Sequence, residues 1–475
     1  MDAVKKRHPQ ALPFLCLTEM WERFGFYVVQ GLLILYMTQS FGFSDSEGYT
    51  ILGIFSALVY IFPFVGGLLA DKFIGFKRSI IWGGFLLIIG YALLALPFNF
   101  LFYPSLAIII TGNGLFKPNI SSLLGTQYEP NDPRRDSGFT IFYIGINLGA
   151  FLAGISSGYI KELFGWHISF ALASIGLIIG LITFQLGLRD IKEHQIFNLS
   201  TQFKIRFLIG CMLTILGITF LFNIQILARL LLPTAGVLLF IFLIVLTLQQ
   251  EALYRKRLII LNTLIISSIM FWTLFLQIFF SANLFIDRFV DKNLFGIPLT
   301  TTVFYASESI FIVLLGPLFA YAWQRLGSHQ KNPSPVLKFV YGIFFAGAGF
   351  FVLSFGTLFI NDHGLISPFW VFFAYLLITI GELLLSPIGL SAVTMLAPPH
   401  LVGMMMGIWF VATGFGGIFA GIIAKHASVP QTVNMLSEKL SIYRDAFFDY
   451  ACLAFVVAII LFCMHVILKK TLIEK

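Results

Sequence analysis

The chain of 475 residues is 58% hydrophobic and 11% charged, with a formal net charge of +8. Soluble domains carry about 25% charged residues, so a soluble fold hiding this much apolar surface in one core is excluded. The basic residues are scattered in short segments between apolar runs, which excludes nucleic acid as a partner, and the four cysteines, Cys16, Cys211, Cys452 and Cys463, have no paired spacing for disulfides or a metal.

A bilayer core about 30 Å thick takes about 20 apolar residues per helix. Runs of that kind predict spans at 12–38, 50–71, 79–97, 104–125, 138–160, 168–188, 206–224, 230–249, 259–286, 302–324, 336–360, 367–395, 402–424 and 446–468, fourteen in all. The expectation is an all-α membrane protein. Lys5-Lys6-Arg7 ahead of the first run imitates a secretory signal, but Glu19, Glu22 and Arg23 interrupt that run and no small-residue cleavage site follows, so it reads as a retained helix. With the N-terminus in the cytoplasm, twenty-one Lys and Arg fall on that side, and seven fall on the other: Lys161, Arg229, Arg288, Lys292, Lys425, Lys439 and Arg444. That bias places both termini inside by the positive-inside rule.

Taken in chain order, the first span holds Glu19, Glu22 and Arg23 at i, i+3 and i+4, and Phe26, Tyr27 and Gln30 extend the same stripe. The second ends in Gly66-Gly67-Leu-Leu-Ala-Asp71-Lys72, followed by Gly75 and Lys77-Arg78, where glycine allows a neighbouring helix to approach. Lys117 lies mid-depth in the fourth span, Asn147 among the small residues of the fifth, Glu308 in the tenth and Glu382 in the twelfth. Each charge near the bilayer centre costs roughly 2.5–3.5 kcal/mol on insertion scales. The six embedded ones, Glu19, Glu22, Arg23, Lys117, Glu308 and Glu382, are therefore expected to face one another or a watery cavity. A carboxylate held by a cation when charged, and desolvated when that cation turns away, can carry a proton. A buried ion pair can also do no more than fix helix register.

The two halves repeat. Gly112-Asn-Gly-Leu-Phe-Lys-Pro118 has the spacing of Gly381-Glu-Leu-Leu-Leu-Ser-Pro387, and Gly149 and Gly154 match Gly416 and Gly421. The predicted organisation is a six-helix bundle over 1–190, an inserted hairpin with linkers over 191–257 that holds no embedded charge, and a second six-helix bundle over 258–475.

Glu19-Met-Trp-Glu22-Arg23-Phe24-Gly-Phe26-Tyr27 resembles the E-x-x-E-R-F-x-Y-Y motif of the proton-dependent oligopeptide transporters, with Phe26 for the first tyrosine. Tyr60 in Val-Tyr-Ile-Phe-Pro, Lys117, Asn147, Glu382 and Trp409 stand in stretches similar to that family's, and the Gly67, Asp71 and Lys72 segment looks like the loop signature that latches the cytoplasmic side of major facilitator transporters. The resemblance spans essentially the whole chain and implies a major facilitator fold. It implies that Glu19, Glu22 and Arg23 with Lys117 couple protonation to a substrate carboxylate. It further implies that Tyr27, Gln30, Tyr60, Asn147, Trp272, Trp409 and Thr413 line the pocket and that Glu382 pairs with the substrate's amino group. Two charges that many members carry as a gate are Gln30 and Leu276 here, so neither is left stranded. Glu308 stands where an asparagine is expected and supplies a second titratable site or a contact for a cationic group.

The resulting expectation is a proton-coupled symporter, probing no enzyme chemistry and needing no cofactor or metal beyond the coupling proton. It would sit in a bacterial cytoplasmic (inner) membrane as a monomer among lipid, importing di- or tripeptides or a related small zwitterion such as an amino acid. The competing expectations are an exporter or antiporter of a non-peptide metabolite or drug on the same scaffold, and a receptor or scaffold that transports nothing.

Overall fold

A computed structural model describes residues 8–129, 132, 134–193, 197–398 and 401–473. Lys5, Lys6, Arg7 and Lys475, which the charge count used, lie outside the described residues. The chain forms two compact units, one taking in the N-terminal segment to Leu32 together with Leu58–Ile224, the other Leu33–Ala57 together with Gln225 onward.

The first unit is built from most of α1 (Ala11–Gln39), the second half of α2 (Asp45–Leu69), a π-helical turn at Ala70–Ile74, α3 (Phe76–Leu94), α4 (Phe102–Gly125), α5 (Arg135–Phe164), α6 (Trp166–Gly187) and α7 (Thr201–Asn223). The second contains the outer parts of α1 and α2 and α8 (Gln225–Leu248). It continues with α9 (Ala252–Phe275), which runs through a 3-10 turn into α10 (Ser281–Phe289), then α11 (Thr301–Ser328), α12 (Pro335–Gly356), α13 (Pro368–Leu396), α14 (Val402–Ala424) and α15 (Leu436–Ile473). A two-residue antiparallel ladder pairs Asn293–Leu294 with Ile297–Pro298. Counting α9 and α10 as one span, 13 helices among the described residues are long and apolar enough to cross a membrane. α1 falls short of that hydropathy because Glu19, Glu22, Arg23 and Gln30 interrupt it.

The helices overrun the apolar stretches from which they were predicted. α15 begins at Leu436, ten residues before the expected start, so Lys439 and Arg444 ride on a helix and not in an outer loop. Arg229 likewise lies on α8, where it donates to Thr50 Oγ1 at 3.0 Å, and Arg288 on α10. A backbone entering a bilayer keeps its hydrogen bonds internal until it reaches water, which explains why helical structure outlasts hydropathy at both ends.

The internal repeat holds at the level of single contacts. A Cβ on Gly83 of α3 would lie 2.7 Å from Gly112 O of α4, and one on Gly342 of α12 would lie 3.0 Å from Gly381 O of α13. One step further along, a Cβ on Gly90 would meet Ile109 Cγ1 at 2.7 Å, and one on Gly349 would meet Ile378 Cγ1 at 2.7 Å. Both helix pairs thus close through glycine onto backbone, as small-residue packing in membranes requires. Of the two adjacent glycines at the end of α2, Gly66 makes the close approach to α4, since its Cβ would fall 1.9 Å from Gly114 O, whereas a Cβ on Gly67 would only touch Pro118 at 3.6 Å. Asp71 and Lys72 sit exposed on the π-helical turn and form no ion pair among the described residues.

Candidate functional site

The polar stripe of α1 is buried in the first unit: Glu19, Glu22 and Arg23 are 1%, 0% and 2% exposed. Arg23 is the hub. Its guanidinium pairs directly with Glu22, its Nε lies 3.4 Å from Glu19 Oε1, and its Nη2 donates to Asn113 Oδ1 of α4 at 3.2 Å. The Asn113 amide in turn donates to Val59 O of α2 at 2.9 Å, which fixes the acceptor facing the arginine. Phe26, the departure from the motif's tyrosine, lies one turn on with its ring 4.8 Å from Arg23 Cζ, so the cation keeps an aromatic face without a hydroxyl.

Lys117 of α4 is half-buried, with Nζ 4.9 Å from the Tyr60 ring centroid of α2, and it acts electrostatically on both Glu19 and Glu22. Among the described residues it closes no direct salt bridge. Glu19 Oε2 and Glu22 Oε1 are buried with no hydrogen-bond partner among the described residues. The structure therefore brings four predicted residues into one cluster of two acids and two bases, with acceptor positions open and one ammonium uncommitted. Such an arrangement can take a proton on an acid or an anionic group on a base.

The remaining predicted residues of this unit are placed around that cluster to different degrees. Tyr27 is in electrostatic range of Arg23 and edge-on to Phe26. Gln30 is 2% exposed, with Oε1 unpartnered among the described residues. The Asn147 amide donates to Tyr143 O of its own helix at 2.9 Å, and its neighbours Gly145 and Gly149 press on Cys16 and on the Met20 backbone of α1. Two participants escaped the sequence reading. Asn113 was quoted only as part of a glycine motif, and Tyr91 of α3, fully buried, brings its hydroxyl into electrostatic range of Glu22.

In the second unit, Glu308 of α11 and Glu382 of α13 are 8% and 7% exposed and within hydrogen-bonding reach of each other. Trp272 packs its Cβ beneath Gly416 and leaves its indole N–H unpartnered among the described residues. Trp409 lies across Gly389, where a Cβ would fall 2.0 Å from its ring, and edge-on to Phe339; Thr413, one turn later, is buried. The unit also holds an ion pair that the sequence hid. Arg288 of α10 grips Asp45 at the start of α2 in a bidentate pair at 2.8 and 2.7 Å, backed by Tyr443 and by Val429 N. Both residues flank apolar runs and read as loop charges.

The sequence pattern of the POT family matches residues 77–440. Dipeptide and tripeptide permease A of Serratia proteamaculans is 32% identical over 461 residues, covering 96% of this chain and 90% of that protein. The chain belongs to the POT family. A second member, the peptide transporter YePEPT of Yersinia enterocolitica, is 35% identical over 89% of either protein. Among solved structures, a peptide transporter POT in complex with sulfate matches this POT protein with a TM-score of 0.84 at 30% identity, covering 98% of this chain and 96% of that one. The fold is accordingly the major facilitator fold, two six-helix bundles with an inserted pair of helices, and the protein is a multi-pass membrane protein of a transporter family.

Proposed function

We propose that the protein is a proton-driven symporter that imports di- and tripeptides, or a related small zwitterion such as an amino acid, across the cytoplasmic membrane by alternating access. It would do so as a monomer with both termini inside. The relatives named for dipeptides and tripeptides support the substrate class. The observation that carries the coupling is the cluster of Glu19, Glu22, Arg23 and Lys117, in which each acid keeps one oxygen open beside a cation that is not locked to it.

A proton reaching Glu22 or Glu19 cancels a negative charge and frees the cations to receive the substrate's carboxylate. Tyr27, Gln30, Tyr60 and Asn147 line that end of the substrate. Glu382, with Trp272, Trp409 and Thr413, takes the amino end. Once protonated, the first cluster is net positive and suits the carboxylate of a zwitterion, as the acids of the second suit its ammonium, and binding energy spent on both ends drives the conformational change.

The test is uptake of labelled alanyl-alanine into proteoliposomes. Uptake rises with an inward proton gradient, and uptake unchanged when that gradient is collapsed would sink the coupling. Glu22→Gln abolishes concentrative uptake and leaves counterflow exchange measurable; loss of both together would mean that Glu22 serves only the fold.

A further inference from the structure

The acids of α11 and α13 lie within hydrogen-bonding reach of each other, and among the described residues no cation pairs with either. Ser309 Oγ donates to Glu308 Oε2 at 3.4 Å, while Glu382 Oε2 is buried with no hydrogen-bond partner among the described residues. The charged groups on the surrounding elements are committed elsewhere. On α10, Arg288 is held by Asp45, and Asp287 by Gln39, Lys292 and Thr301. On α12, Lys338 lies 4.0 Å from the Trp323 ring centroid. Arg325 of α11 is exposed, α9 carries Arg255, Lys256 and Arg257 only near its start, and α14 carries no charge. The phenols of Tyr305 and of the exposed Tyr321 on α11, and of Tyr375 on α13, are the other titratable groups on these two helices.

Two acids in contact inside a membrane protein, with no cation between them, cannot both be ionised, and their titration belongs to the pair. We propose that Glu308 and Glu382 share one proton and together form a receptor for the positively charged amino end of the substrate, one that exchanges this proton for a second positive charge. The ligand in this statement rests on the zwitterion reading above; the shared proton does not. With one ammonium bound at the open Glu382 oxygen, Glu308 keeps the proton and the assembly is neutral. When the amino-terminal residue carries a second ammonium, as in a lysyl peptide, the O–H bond of Glu308 breaks and the proton leaves to water. The second ammonium takes its place, and the assembly is again neutral. The site thus accepts singly and doubly charged amino ends.

Two measurements on the full-length protein in lipid nanodiscs decide this. Infrared spectra at neutral pH contain a carboxylic-acid carbonyl component that vanishes in Glu308→Gln and in Glu382→Gln alike, because the new amide donates to the remaining carboxylate. The double variant loses nothing further. Losses that add in the double variant would mean two independent acids, and absence of the component from the wild type would mean no resident proton; either overturns the shared proton. Calorimetry in buffers of different ionisation heat counts protons on binding: lysyl-alanine releases one more than alanyl-alanine, and Glu308→Gln or Glu308→Asn abolishes the difference. Equal counts for the two peptides, or no binding of lysyl-alanine, overturn the exchange. If neither peptide binds and uptake is absent, the peptide reading falls with the receptor, while the infrared arm still decides the proton.

Discussion

In the first unit every buried acid of α1 has a cation in reach, and one guanidinium, Arg23, serves Glu19, Glu22 and Asn113 at once. Among the described residues of the second unit, the acids of α11 and α13 have each other and a serine hydroxyl as partners, with no cation. The scaffold beneath is the same, since α3–α4 and α12–α13 close through matching glycine contacts. What differs is the polar inventory: α9 carries charge only near its start, whereas α1 carries Glu19, Glu22 and Arg23 within its apolar run. Burial alone does not dictate how charge is handled in a membrane. A cation in reach favours the acid's charged form, whereas its absence favours the protonated one.

The strongest way to break this contrast is to remove Arg23. Leaving an uncompensated buried charge costs about 3–5 kcal/mol, so Arg23→Ala is expected to lower the melting temperature sharply, and combining it with Glu22→Gln, which leaves Glu19 alone facing Lys117, is expected to recover most of the loss. In the second unit, Glu382→Gln leaves the charge of the pair unchanged, because its amide replaces the shared proton as donor to Glu308, and its melting temperature should stay near that of the wild type. Equal destabilisation by Arg23→Ala and Glu382→Gln would end the distinction between the two clusters.

Next in size is the helix contact beneath the first cluster. With a Cβ placed 1.9 Å from Gly114 O, Gly66→Ala forces α2 away from α4 and should destabilise by about 3 kcal/mol. Gly67→Ala, with only Pro118 at 3.6 Å, should be neutral or gain up to about 1 kcal/mol from helix propensity. Thermal unfolding of the two variants side by side checks the sign as well as the size.

Much of this was legible in the sequence, and the limits have physical causes. Thirteen of the spans follow from hydropathy, α1 being the one that polar residues interrupt, and the one-sided stripe of Glu19, Glu22 and Arg23 follows from helical spacing. The repeat is visible in Gly112 and Gly381, each of which meets a glycine of the preceding helix. Long-range pairings were not legible. Nothing in the spacing of Glu308 and Glu382 says that they touch, and Asp45 and Arg288 sit where hydropathy places loops. The choice between Gly66 and Gly67 depends on helix rotation, which two adjacent glycines do not reveal.

The Asp45–Arg288 pair gives a third, intermediate case, with an acid 6% and an arginine 31% exposed at their side chains. It resembles the first cluster in having a cation and differs in that water reaches the guanidinium. A bidentate charge-assisted contact of this kind is worth about 2 kcal/mol, so Asp45→Asn should destabilise less than Arg23→Ala and should show more dependence on salt. Melting curves at low and high ionic strength separate the two, and a salt-independent loss would place this pair with the fully buried cluster.

The smallest expected effect sharpens the contrast most. Ser309 Oγ is 3.4 Å from Glu308 Oε2, a long contact, and among the described residues it and Glu382 are the side chains that act on that carboxyl. If the hydroxyl stabilised an ionised Glu308, Ser309→Ala would strand a buried carboxylate and cost as much as losing a charged hydrogen bond, about 1.5–3 kcal/mol. If Glu308 is held by its partner acid through a shared proton, the hydroxyl is dispensable and the change should stay within about 0.5 kcal/mol, while the infrared component common to the pair persists. A large loss of stability together with loss of that component would show that the serine keeps the pair in register, and the two units would then differ in degree and not in kind.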